Sequence, residues 1–177
     1  MKYVLSAIAA LLVVCVTVFC RSEASLANDQ TKLVSNFYQH VLSLDVRGVP
    51  SRDTIETLSP FMSSKLRNAL LQALADEEAH TRETKGDEPP LFEGAIFLGV
   101  WEGAKQVLDV QHENKSQLSS YLVTFQMEAP YDQDPKHNWT DRVILVQENE
   151  KWVVDDVWFQ VGGDSSAPMN LKQRLQH

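Results

Sequence analysis

The sequence predicts a single α+β domain, in which N-terminal helices pack on one face of an antiparallel sheet of about four strands. Apolar residues recur at helical spacing up to about residue 85, and after that point the spacing changes towards two. Helices and strands do not alternate, so the βαβ units of a parallel sheet are not expected. About 150 residues follow a predicted leader, which is enough chain for one adequate core, and we place the domain at residues 28–177.

Residues 1–27 have the pattern of an export signal. Lys2 is followed by an almost unbroken apolar stretch from Tyr3 to Cys20, and small residues allow cleavage after Ala24 or after Ala27. The sequence therefore predicts a periplasmic or secreted protein. The alternative is a domain tethered to the membrane, either by a lipid or by the uncleaved segment. The apolar stretch is only slightly shorter than the roughly 20 residues of a membrane span.

The leader determines the cysteine content and the charge of the exported chain. Both cysteines, Cys15 and Cys20, lie inside it, so no disulfide or thiolate site is expected after cleavage. The residues that precede them, Val14 and Phe19, are too bulky for a lipoprotein signal. Cleavage leaves 14 of the 16 basic and 23 of the 24 acidic residues, and the net charge moves from -8 to -9. This charge disfavours nucleic acid and anionic lipid as partners and could suit a cationic partner.

Three helical segments are predicted before the sheet. The first runs from Asn28 to Leu44, and the second is a short turn that begins at Ser51. The third and longest begins at a cap at Ser63 or Ser64 and fades by Lys85.

Four strands and a short tail helix are predicted after these helices. Alternation is weak over Lys105–His112 and clear over Gln117–Glu128, with a turn at 114–115 between the two strands. Trp139–Gln147 and Lys151–Phe159 form a hairpin joined through residues 148–150. A helical piece over Asn170–Gln176 is expected to cover an open sheet edge.

Three segments resemble a family of exported bacterial proteins known as a domain of unknown function: LSPFMSSKLRNAL, DEPPLFEGAIFLGVWEGA and WTDRVILVQENEKWVVDDVWF. The order of elements is also similar to the superfamily of nuclear transport factor 2 (NTF2). The resemblance implies a bacterial envelope location and an NTF2-like cone, in which a curved sheet wraps around the helices and encloses a pocket. The family supplies no reaction.

Asp155 and Asp156 are the most unusual pair, because they interrupt a strand of large apolar residues. Alternation sends them to opposite faces, so one should point towards the helices or a cone interior, where burial would raise its pKa. An inward aspartate could act as a general base in a pocket that Tyr38 or Trp101 shapes. The alternative, which we favour, is an ion pair with Arg142 on the neighbouring strand or a bond to a loop backbone.

Other candidates lie at the ends of strands and in the loop before the sheet. Asp141 could line a pocket mouth or cap a turn. Asp87 and Glu88 open a loop that could bind a ligand or a partner, with Trp101 as an exposed aromatic. The alternative is that this loop is a lid on the core, with four residues tucked under the sheet: Phe92, Ile96, Phe97 and Trp101.

No catalytic residue, metal site or cofactor is predicted. The five histidines are dispersed, no Gly-x-Ser-x-Gly elbow occurs, and no phosphate-binding glycine loop is present. The leading hypothesis is a non-enzymatic binding protein for a small ligand or a protein partner, one form being an inhibitor or immunity protein. The alternative is an enzyme with a carboxylate base in an NTF2-like pocket.

Overall fold

The computed structural model describes residues 25, 27–113, 119–127, 133–161 and 169–176. The predicted leader, apart from Ser25 and Ala27, lies outside these residues, and so does the predicted turn at 114–115. In the described part, helices and one four-stranded antiparallel sheet confirm the predicted α+β class. None of the helices there combines the length and the apolar character that crossing a membrane requires.

Three helices precede the sheet, close to their predicted positions. They are α1 over residues 27–43, α2 at Arg52–Leu58 and α3 at Ser64–Thr84, with a 3-10 turn at Ser59–Phe61. Ser51 and Ser63 are the N-caps of α2 and α3, because each hydroxyl accepts a bond from a backbone N–H in the first turn of its helix.

The sheet has the strand order β1-β2-β3-β4. Its strands are β1 (Ala104–His112), β2 (Ser119–Met127), β3 (Trp139–Glu148) and β4 (Lys151–Trp158). The alternation predicted for β2 is confirmed, since Tyr121, Val123 and Phe125 are all buried. Asn149 and Glu150, both at positive φ, make the tight turn of the predicted hairpin.

The weak alternation of β1 has a structural cause. Its pairing with β2 shifts register between Ala104 and Gln106, and again between Val107 and Asp109. Each bulge adds a residue, so the partly buried positions recur every third residue, at Ala104, Val107 and Val110.

Two other segments pair with the edge of β4. The N–H of Ser63 donates to the carbonyl of Val154 at 2.8 Å, and the N–H of Phe159 donates to the carbonyl of Met169 at 3.0 Å. A short helix α4 follows at Leu171–Arg174, which is shorter than predicted. The tail therefore lies along a sheet edge, as predicted.

Aromatic rings fill the space between α1 and the sheet. Phe37 contacts Phe97 edge-to-face with 5.7 Å between ring centroids, and Tyr38 contacts Phe125 in the same way at 4.8 Å. All four side chains are at most 1% exposed. This packing fixes the loop that carries Phe97, which forms one wall of the groove described next.

Candidate binding groove

A groove of about 500 Å³ lies between the loop at 91–103 and the C-terminal tail. Its lining is mostly apolar and consists of Leu91, Phe92, Glu93, Ala95, Ile96, Gly99, Trp101, Met169, Gln173, Arg174 and Gln176. Trp101 is 60% exposed and Met169 52% exposed, more than any other large hydrophobic side chain in the described residues. Their convergence on one concave surface is the arrangement expected of a binding site.

The loop that forms one wall is partly the lid that the sequence predicted. Phe92, Ile96 and Phe97 are at most 5% exposed, so the prediction is confirmed for them. It is wrong for Trp101, whose ring packs across Gly94 on the outside of the loop. A Cβ at Gly94 would lie 2.7 Å from Cδ2 of Trp101, and Gly94 has a φ of +68°, so a side chain is excluded on both counts.

The turn after α1 fixes the outer part of this loop. The N–H of Gly48 donates to the carbonyl of Gly94 at 2.8 Å. Nη1 of Arg47 donates to the carbonyl of Glu102 at 2.6 Å and reaches that of Trp101 at 3.4 Å. These hydrogen bonds therefore hold the backbone that carries Trp101, although that backbone belongs to no strand or helix.

Arg174 fixes the inner part of the loop from α4. Its Nη1 donates to the carbonyls of Leu98 at 2.9 Å, Ile96 at 3.1 Å and Ala95 at 3.5 Å. Its guanidinium also lies 3.7 Å from the ring centroid of Phe159. Burial lowers the pKa of Arg174, and the charge of Asp141 offsets part of that effect. Nε and Nη2 donate to no group in the described part of the chain.

Asp141 holds the loop from below. It is fully buried on β3, and its Oδ2 accepts bonds from the N–H of Gly99 at 2.8 Å and from Nε1 of Trp139 at 3.1 Å. Its Oδ1 accepts a bond from the N–H of Gln160 at 2.7 Å. Burial raises the pKa of Asp141 to about 6, although these bonds and the charge of Arg174 lower it. Asp141 was expected either to line a pocket mouth or to cap a turn. Its carboxylate holds a turn, and it does not line the groove.

Gly99 is required where the loop meets this carboxylate. A Cβ at this position would overlap Oδ1 of Asp141 and the side chain of Gln160. The amide of Gln160 donates back to the carbonyl of Gly99, and Gln160 has a φ of 48°.

Tyr38 lies in the core and not in the groove. It is fully buried between Phe37 and Phe125, and its hydroxyl has no hydrogen-bond partner in the part of the chain that the structure describes. Burial raises the pKa of Tyr38 well above its usual value, and the nearby charge of Asp141 adds to this.

Asp155 points towards the helices but not into a pocket. It accepts a bond from the Ser63 hydroxyl at 2.6 Å and pairs with Nζ of Lys172 at 2.5 Å. Burial is the largest single influence on the pKa of Asp155, and it raises that pKa. The two hydrogen bonds and the nearby positive charges together outweigh burial, so the pKa of Asp155 is lowered. The predicted ion pair with Arg142 is wrong, because Arg142 is engaged elsewhere.

Asp156 faces the other side of β4, opposite Ile144 of β3. Its carboxylate accepts bonds from the N–H of Val157 at 2.9 Å and of Lys172 at 3.3 Å. Burial raises its pKa. Arg142 binds Glu113 instead of either aspartate, because Glu113 follows β1 and reaches across β2, which sequence spacing did not reveal.

Asp87 and Glu88 are exposed, in the turn after α3. Neither lines the groove, so among the predicted candidates only Trp101 does. Sequence reasoning missed Met169 and Arg174. The available signal was in the predicted tail helix, where Arg174 lies three residues after the buried Leu171 and so falls on its inward face.

No group of three or more metal-ligating side chains forms within the described ranges. Searches of protein-family models, curated proteins and solved structures find no match to this chain.

Proposed function

We propose that this chain is an exported binding protein of the bacterial envelope, with an NTF2-like α+β domain that holds an apolar ligand in the groove. One observation carries the proposal: the two most exposed large hydrophobic side chains in the described residues, Trp101 and Met169, face the same groove. Export is supported by the pattern of residues 1–27, and the acidity of the chain argues against nucleic acid.

The rigidity of the groove wall supports binding as well. Hydrogen bonds to the loop backbone attach the loop to the turn after α1 through Arg47, to α4 through Arg174 and to β3 through Asp141. A wall fixed before the ligand arrives loses little conformational entropy on binding, so a modest apolar contact area can give useful affinity.

The alternative of an enzyme has less support than binding. A general base needs access to substrate, but Asp155 is paired with Lys172 and Asp156 is bonded to backbone N–H groups. Asp141 has a raised pKa, but three N–H donors surround it and it is fully buried. No observation favours a particular reaction over binding.

The uncharged fluorescent probe N-phenyl-1-naphthylamine tests the proposal. We expect saturable binding to the purified exported chain, and weaker binding to Trp101→Ala and Met169→Ala. Leu108→Ala is the matched control, because Leu108 is 46% exposed on β1 and lies outside the groove. Equal binding by the Trp101 and Leu108 variants, or no binding by the wild-type chain, would overturn the proposal.

The same variants test a protein as the occupant, including the inhibitor or immunity form. Crosslinking in the periplasm followed by recovery of the tagged chain should then capture a protein that Leu108→Ala retains and Trp101→Ala loses. Capture that both variants retain would place the contact outside the groove and count against this form.

A further inference from the structure

The charged side chains that line the groove indicate the chemical class of its ligand more closely. Glu93 and Arg174 are the charged residues of the lining, and Glu93 is exposed while Arg174 is half-buried. A buried cation is normally paired with a carboxylate. Arg174 has no ion pair in the described part of the chain, because Asp141 directs its carboxylate to three other N–H donors.

The free edge of Arg174 has the geometry that binds a carboxylate. Its Nη1 is used by loop carbonyls, which leaves Nε and Nη2 side by side on one edge of the guanidinium. Arg142 uses the same two atoms to hold Glu113, with Nε at 2.7 Å and Nη2 at 2.9 Å from the carboxylate oxygens. Such two-point pairing is stronger and more directional than a single bond.

We propose that the groove binds an aliphatic carboxylate, with the carboxylate on Nε and Nη2 of Arg174 and the chain against Trp101 and Met169. This inference rests on the proposed function and names the chemical class of its ligand. The unbranched, flexible side chain of Met169 can adjust to aliphatic chains of different length.

A peptide with a free carboxylate fits the groove less well. An extended peptide needs main-chain partners, but four backbone groups of the loop are already used. The carbonyls of Ala95, Ile96 and Leu98 accept bonds from Arg174, and the N–H of Gly99 donates to Asp141. An aliphatic chain needs only apolar surface, which the groove offers.

Displacement of N-phenyl-1-naphthylamine by three ten-carbon ligands tests the inference. The ligands are decanoate, 1-decanol and decylamine, which share a chain and differ in head group. We expect decanoate to displace the probe at concentrations at least about tenfold lower than decanol, because two charge-assisted hydrogen bonds to the guanidinium are stronger than the bond of a neutral hydroxyl. Decylamine should bind more weakly than decanol, since its ammonium faces Arg174.

Arg174→Gln should abolish the preference for decanoate over decanol. Arg67→Gln is the control, because Arg67 lies on α3 with its side chain 44% exposed and pairs with Glu56. Arg174 also anchors the loop, so the comparison of ligands on the wild-type chain decides the question if the variant does not fold.

The possible failures are distinguishable. Equal displacement by decanoate and decanol, with probe binding still dependent on Trp101, would overturn the carboxylate inference and leave the proposed groove function standing. If the probe does not bind at all, the proposed function fails. The carboxylate inference rests on that function and fails with it.

Discussion

Replacing Asp141 with asparagine tests the claim that a buried carboxylate holds the groove wall. Asp141→Asn keeps the size of the side chain but turns one acceptor oxygen into an N–H donor. Whichever way the amide is placed, its NH₂ faces at least one backbone N–H, either that of Gly99 or that of Gln160. Leaving a buried donor unsatisfied costs about 1–3 kcal/mol.

The magnitude of the pH effect follows from the raised pKa. Burial takes the pKa of Asp141 from 3.8 to about 6, so the folded chain binds a proton more readily than the unfolded chain. The stabilisation from this proton is complete below 3.8 and is lost as the pH rises through 6. The full difference is about 3 kcal/mol, of which about 2 kcal/mol falls between pH 4 and pH 7.

Urea unfolding at pH 4, 5, 6 and 7, followed by tryptophan fluorescence, measures this effect. The charged groups that face Asp141 are Arg174 from α4 and, when ionised, Tyr38 from α1, and neither titrates between pH 4 and pH 7. Other groups titrate alike in both chains, so the free energy of unfolding of the wild type minus that of Asp141→Asn should fall by about 2 kcal/mol from pH 4 to pH 7. A constant difference would refute the reasoning.

Three further predictions concern other anchors of the domain. Gly99→Ala would place a methyl group against a buried carboxylate and should cost about 1–3 kcal/mol in urea unfolding and weaken probe binding. Lys172→Met leaves Asp155 without its ion pair and should cost about 1–3 kcal/mol at pH 7, and less in acid, where that carboxyl is protonated and the ion pair is already lost. Intact mass of the exported chain should show an N-terminus at Ser25, because cleavage after Ala27 would remove a carbonyl that accepts bonds from two side chains.

The elements of the fold were predictable because they follow short-range patterns. The inward series Tyr121, Val123 and Phe125 has strict period two, and β2 pairs in regular register with β3 over this stretch. The caps at Ser51 and Ser63 depend only on residues within one helical turn. The bulges of β1 were not predictable, because they depend on its pairing with another strand.

The candidate site was only partly predictable, for a related reason. Trp101 could be named because it is an aromatic residue in a loop, although its sequence context also allowed it to be buried as part of the lid. Arg174 could not, because its role depends on three carbonyls more than 70 residues earlier in the chain. Asp155 and Asp156 could be named because their neighbours on the strand are apolar. Their partners could not be predicted, because Ser63 and Lys172 lie on other elements.

Charged anchors fix the groove wall in a way that apolar packing alone would not. The loop at 91–103 has no strand or helix to satisfy its backbone, and it turns Phe97 into the core while Trp101 faces outward. Apolar contacts are not directional, so they could not specify both orientations. Charged anchors can, because Arg174 fits carbonyls and Asp141 fits N–H groups. Their burial costs free energy, which is visible in the shifted pKa of each residue. A carboxylate on the free edge of Arg174 would offset part of that cost, so ligand binding should also stabilise the wall that forms the groove.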